Sequence, residues 1–191
     1  MYKKNNALLI YSIFYFAFLY TPVMLLPIFS FNDSWHMVFP LKGFTLEWYN
    51  QMINSSRLHK ALMNSFKVGL VASIFSTFIA LLAAKAFTRY KVKFHQVSYG
   101  AILLPFVIPE IIIAVALIVL WTGMGLQLGL VPVTIAHILF CTPFCLLILI
   151  SRMEGFDKNL EEAAMDLGEN SWGTFWRVTF PLVLPAVIAS L

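Results

Sequence analysis

VPVTIAHILFCTPFCLLILIS (Val131–Ser151) contains no Asp, Glu, Lys or Arg, and RMEGFDKNLEEAAMDLG (Arg152–Gly168), where both signs of charge crowd together, follows it at once. An uncharged apolar stretch of roughly 20 residues is what a helix needs to cross about 30 Å of hydrocarbon. Backbone in lipid must satisfy its own hydrogen bonds, which leaves helices and closed barrels. The first segment therefore reads as a transmembrane helix, and the second as a water-facing loop with a short acidic helix in it.

Working outward, the rest of the chain repeats this pattern. Apolar residues make up 60% and charged residues 12%, against about 25% charged in soluble domains. The expected fold class is an all-α integral membrane protein. Its spans fall at about 7–31, 66–86, 97–121 and 131–151, and a fifth run, 180–191, is too short for a crossing. The first run exceeds the h-region of a cleavable signal peptide, and no small-x-small site follows it. The second reaches full length only if Lys67 and Lys85 extend to the interfaces. Pro105, Pro109 and Glu110 interrupt the third, and Gly123, Gly125 and Gly129 turn the chain into the fourth. The fifth run stops at Leu191, so the chain is expected to be truncated inside span five, as a single transmembrane domain, 1–191, with a long polar loop at 152–179.

Orientation follows from Lys and Arg, which collect on short cytoplasmic flanks. With the N-terminus inside, nine positives (Lys3, Lys4, Lys85, Arg89, Lys91, Lys93, Arg152, Lys158, Arg177) lie in the cytoplasm, against four outside (Lys42, Arg57, Lys60, Lys67). The expectation is a multi-pass protein of the cell inner membrane, with a cytoplasmic N-terminus and a cytoplasmic acidic loop. The net charge of +4 sits at the edges of apolar runs and forms no aromatic-interleaved patch, so nucleic acid is not an expected partner.

In the loop, Asn159 followed by Glu162 resembles a capping box, Gly168 is placed to end the helix in a left-handed conformation, and Ser171 is a candidate cap for a further helix. Leu160, Ala164 and Leu167 recur on one face. Small Ala163 and Ala164 admit a close-fitting partner, while Glu161, Glu162, Asp166 and Glu169 offer charges to orient it. On pattern alone, a solvated loop helix without a partner stays open beside this reading.

Glu162-Ala163-Ala164, Gly168, Val178, Phe180 and Pro181 at these spacings resemble the EAA loop of ABC importer permeases, where Ile and Leu are commoner at positions 178 and 180. Ser30-Phe31-Asn32-Asp33-Ser34, Gly43-Phe44-Thr45 with Trp48-Tyr49, Asn64-Ser65-Phe66, Pro109-Glu110 and Ser151-Arg152 with Gly155-Phe156-Asp157 extend the resemblance over essentially the whole chain. They make it similar to the second permease subunit of spermidine/putrescine importers, the PotC/PotI-like kind. The resemblance implies a type I importer permease of MetI-like fold with about five of six spans present. The acidic Ser-x-Asp-Asp stretch beyond the EAA loop of that group has no counterpart here. It further implies ATPase-coupling residues Glu161, Glu162, Ala163, Ala164, Asp166 and Gly168. The implied partners are two copies of an ATP-binding subunit, a second homologous permease and an extracytoplasmic polyamine-binding protein, all working at the lipid bilayer.

Glu110 is the candidate substrate-path residue, because a mid-span carboxylate is costly and marks a cavity by default. A protonated glutamate that only packs is the alternative. Trp48 is a second candidate, through cation–π stacking on an amine, although interfacial anchoring is the commoner task of such a residue. His137 reads as an interhelical hydrogen-bonding group, and Cys141 and Cys145 as inert packing residues. No phosphate-binding Gly-x4-Gly-Lys-Ser/Thr loop or hydrolase motif occurs. The expectation is a transport subunit without catalytic residues, metal or cofactor, with ATP hydrolysed by another polypeptide. The same machine with another cargo (thiamine, ferric iron, an opine-like compound) is the alternative, followed by a small channel or membrane enzyme.

Overall fold

Helix is the backbone solution that every long apolar run adopts. The computed structural model describes residues 6–191, so Lys3 and Lys4 of the orientation argument lie outside the described residues. Among the described residues there are helices, turns and one isolated antiparallel bridge, Asn32 to Phe44. The chain divides inside a long helix into two units, Met1–Ala61 and Leu62–Leu191.

The first unit holds α1 (Asn6–Ser30) and α2 (Glu47–Asn54). Helix α1 is apolar around its circumference, the signature of a span facing lipid. The loop after it is organised by buried Asn32, whose side-chain oxygen accepts from the Lys42 amide at 2.9 Å and whose carbonyl accepts from Trp48 Nε1 at 2.9 Å.

Helix α3 (Ser56–Arg89) crosses the boundary between the units and has 34 residues, about 51 Å at 1.5 Å per residue. Its ends outrun the expected 66–86 because Lys67 and Lys85 mark hydropathy and do nothing to stop a helix. The expected third span comprises two helices, α4 (His95–Val107) and α5 (Glu110–Gly123), bent by 102°. Proline explains the break: Ile108, before Pro109, is driven to an extended conformation (φ −77°, ψ 133°). Helix α6 (Leu130–Glu154) follows, then α7 (Asn159–Asp166) and α8 (Ser171–Thr174). A π-helical turn (Phe175–Thr179) leads into α9 (Phe180–Ser190). From Ser171 to Ser190 these last elements form one 20-residue helix. It starts well before Phe180 because Trp172, Phe175, Trp176 and Phe180 pack on one another around exposed Arg177.

The core of the second unit is a three-helix contact. Ala72, Ser76, Ala80 and Ala84 form a small-residue stripe on α3, the kind that lets helices approach closely in lipid. Ala80, Leu81 and Ala84 pack with Cys145, Leu146, Leu149 and Met153 of α6 and Val183 and Ala186 of α9. Thr77 Oγ1 donates to the Ser190 carbonyl at 2.9 Å, and Cys145 Sγ lies 3.6 Å from Ser76 Oγ. Helix α4 adds to the outside of α6, with Phe106 edge-on to Phe144 at 4.8 Å. By the length and apolar content of these helices, the chain is a multi-pass membrane protein.

Candidate functional site

Helix α7 is held at both ends by local chemistry. Its start is capped by Asp157, whose Oδ1 accepts from the Asn159 amide at 3.0 Å; Lys158 occupies the cap position with helical dihedrals and no side-chain bond. This corrects the capping-box expectation. The helix begins one residue earlier than that box requires, so Asn159 lies inside its first turn. At the other end Gly168 has φ +97°, and its amide donates to the Met165 carbonyl at 2.9 Å. The Glu169 amide donates to the Ala164 carbonyl at 3.1 Å, closing a glycine-ended turn. The next helix is capped by Asn170, whose Oδ1 accepts from the Trp172 and Gly173 amides. Ser171, the expected cap, falls one position too late.

The acidic residues of this segment divide by direction. Glu162 and Asp166 are exposed, as are Ala163 and Gly168, and Ala164 is half-buried. Leu160, Met165 and Leu167 add exposed apolar surface, with Leu167 88% exposed. Together these residues present an apolar, acid-flanked knob. Glu161 is turned inward and buried, so it does not share the outward, partner-orienting role expected of it. Its Oε2 pairs with Arg89 Nε and its Oε1 accepts from Thr179 Oγ1. Arg89 Nη2 also donates to the Met153 carbonyl at 3.2 Å, and its guanidinium lies 4.7 Å from the Phe156 ring centre. Glu169 pairs with exposed Arg177, a contact of little energetic weight in water.

Glu110 stands at the first position of α5, exposed, at the bend after Pro109. It lines two clefts. One, of about 500 Å³, is shared with Phe106, Val107, Phe140 and Phe144, and the other, of about 150 Å³, with Ile113, Leu117, Ala136 and His137. No hydrogen-bond donor among the described residues reaches its carboxylate. His137 Nδ1 is 2.8 Å from the Val133 carbonyl, an internal helix contact, yet its ring borders the same cleft as Glu110. Trp48 belongs to the first unit. It lines an aromatic cleft of about 400 Å³ with Trp35, Tyr49 and Phe29, edge-on to Trp35 at 4.8 Å. Among the described residues no cluster of three His, Cys, Asp or Glu side chains is arranged to hold a metal.

This geometry, a capped outward knob after an apolar span, lies within a stretch, residues 76–191, that matches the family of binding-protein-dependent transport system inner membrane components. The chain belongs to that family. The chain is 34% identical over 174 residues to the spermidine/putrescine transport system permease protein PotC of Escherichia coli (strain K12), covering 91% of this chain and 66% of that protein. It is 33% identical to PotC of Haemophilus influenzae (91% and 67% covered) and 29% identical to the putrescine transport system permease protein PotI of E. coli (91% and 64%). It thus spans about two thirds of the length of these curated relatives. Its fold is similar to a chain in the crystal structure of a bacterial ABC transporter involved in the import of the acidic polysaccharide alginate, with a TM-score of 0.74 and 17% identity, covering 96% of this chain and 69% of that one.

In the sequence Arg89 reads only as a topology charge and Thr179 only as the last residue of the 152–179 loop. Both meet Glu161 in the structure. The partners are separated by 72 and 18 positions, beyond any helical spacing that pattern reading detects.

Proposed function

We propose that the chain is a permease subunit of an ATP-driven importer for polyamines, forming half of the translocation path. The single observation that carries this is α7. It is a short helix capped at both ends, with Ala163, Leu160 and Leu167 exposed and Glu162 and Asp166 beside them. A knob of that size has no apolar partner of its own, and its small residues suit a groove on another protein. In this reading α7 faces the cytoplasm, with the N-terminus on the same side, and an ATP-binding subunit takes it up. Two such subunits, a second homologous permease and an extracytoplasmic polyamine-binding protein complete the machine.

Cargo is read from Glu110. Its carboxylate, without a partner among the described residues, offers charge to an ammonium group, and Phe106, Phe140 and Phe144 beside it offer aromatic faces to the methylenes between amines. The names of the relatives, spermidine and putrescine permeases, support the same class of cargo. Trp48, in its aromatic cleft, is a second contact of this kind.

Ala164→Arg in the complete subunit tests the coupling half of the reading. The expected result is normal insertion, with loss of polyamine uptake and of substrate-stimulated ATP hydrolysis. Uptake at the wild-type rate would refute it.

A further inference from the structure

Helix α7 is linked to the chain by two loops, and its outer face carries the docking residues, so what orients it is the contact on its inner face. That contact is centred on one buried carboxylate. The side chains of Arg89 and Glu161 are each only 10% exposed. Glu161 Oε2 pairs with Arg89 at the end of α3, and Oε1 accepts from Thr179 at the end of the π-helical turn. The same guanidinium donates to the Met153 carbonyl in the last turn of α6, and Thr88 Oγ1 lies 3.5 Å from Met153 Sδ. One turn earlier on α3, Lys85 Nζ sits 4.2 Å from the Phe175 ring centre, tying α3 to the same π-helical turn. One ion pair therefore joins the ends of α3 and α6, the first turn of α7 and the entry to α9.

A buried ion pair is a poor source of net stability, because desolvating both charges cancels most of their attraction, and an apolar pair of similar volume often does as well. Its directional bonds do fix angles that apolar contact leaves free. We propose that Arg89, Glu161 and Thr179 form a positioning joint, which makes α7 move as one body with α3 and α9, so that force applied to α7 reaches the membrane helices. The inference rests on the reading of α7 as the element an ATP-binding subunit grips. It assigns these three residues a task distinct from docking, since none of them is on the exposed face.

The test is the number of ATP molecules hydrolysed per polyamine imported, measured for the complete permease reconstituted with its partner subunits in proteoliposomes. Arg89→Met with Glu161→Leu replaces the pair without stranding a buried charge and is the central variant; Glu161→Gln and the swap Arg89→Glu with Glu161→Arg accompany it. The apolar pair should assemble with the ATP-binding subunit and hydrolyse ATP, yet use at least fivefold more ATP per molecule imported. Glu161→Gln, which keeps the shape but only one acceptor oxygen for the two contacts, should lie between it and the wild type, and the swap should recover part of the loss. A purely structural role would lower the yield of assembled complex and leave the ratio unchanged. Wild-type stoichiometry in the apolar pair, or failure of that variant to bind the ATP-binding subunit at all, would overturn the joint. A wild-type assembly whose ATP hydrolysis ignores substrate would instead refute the importer reading, before any variant is compared.

Discussion

Gly168→Ala isolates the backbone that ends α7. Gly168 has φ +97°, outside the range an L-residue adopts without cost, and a Cβ built there meets nothing within 4 Å. The penalty is thus conformational and free of steric clash, about 1–2 kcal/mol. It falls on the bonds from the Gly168 amide to the Met165 carbonyl and from the Glu169 amide to the Ala164 carbonyl. An eight-residue helix has little intrinsic stability to absorb it. A change of that size shifts the opening equilibrium of α7 roughly 5- to 30-fold. Backbone amide exchange read by mass spectrometry should accelerate by that factor over 160–168, with α6 unchanged. Gly155→Ala is the control: its φ of −79° is right-handed and its nearest new contact is 3.4 Å from the Ser151 carbonyl, so exchange should stay within about twofold. Equal effects from the two substitutions, or acceleration spread through α6, would refute the reasoning.

Glu110→Gln removes the charge and keeps the shape, so polyamine uptake should fall roughly 10- to 100-fold, the worth of a charge-assisted hydrogen bond, while assembly with the ATP-binding subunit persists. Leu149→Ala empties a fully buried position between α3, α6 and α9; detergent-induced unfolding followed by tryptophan fluorescence should register a loss of about 2–5 kcal/mol. Asn170→Ala deletes the two bonds that start α8 and should cost about 1 kcal/mol, visible as faster amide exchange at Trp172 and Gly173.

Much of this architecture is legible in the chain because lipid leaves few options. Uncharged runs marked α1 and α6 closely, and Pro109 with Glu110 marked the break that became the 102° bend. Helix ends were less legible where the relevant force was not hydropathy. Lys85 and Arg89 remain inside α3 because Lys and Arg are good helix formers. The last helix begins at Ser171, since aromatic packing tolerates Arg177 at its surface. The outward face of α7 followed from its spacing. The inward turn of Glu161 did not, because it depends on a guanidinium 72 positions away. His137 beside Glu110 was hidden for the same reason: the two share a cleft only after α5 folds back along α6.

The central claim is that an ATP-binding subunit holds α7. Ala163→Cys in the complete subunit, treated with a short thiol-to-amine cross-linker after assembly, tests it most directly, because Ala163 is exposed and the two native thiols, Cys141 and Cys145, lie within α6. The account predicts one product, a covalent pair of permease and ATP-binding subunit. An intact, co-purifying complex that gives no such product would contradict it.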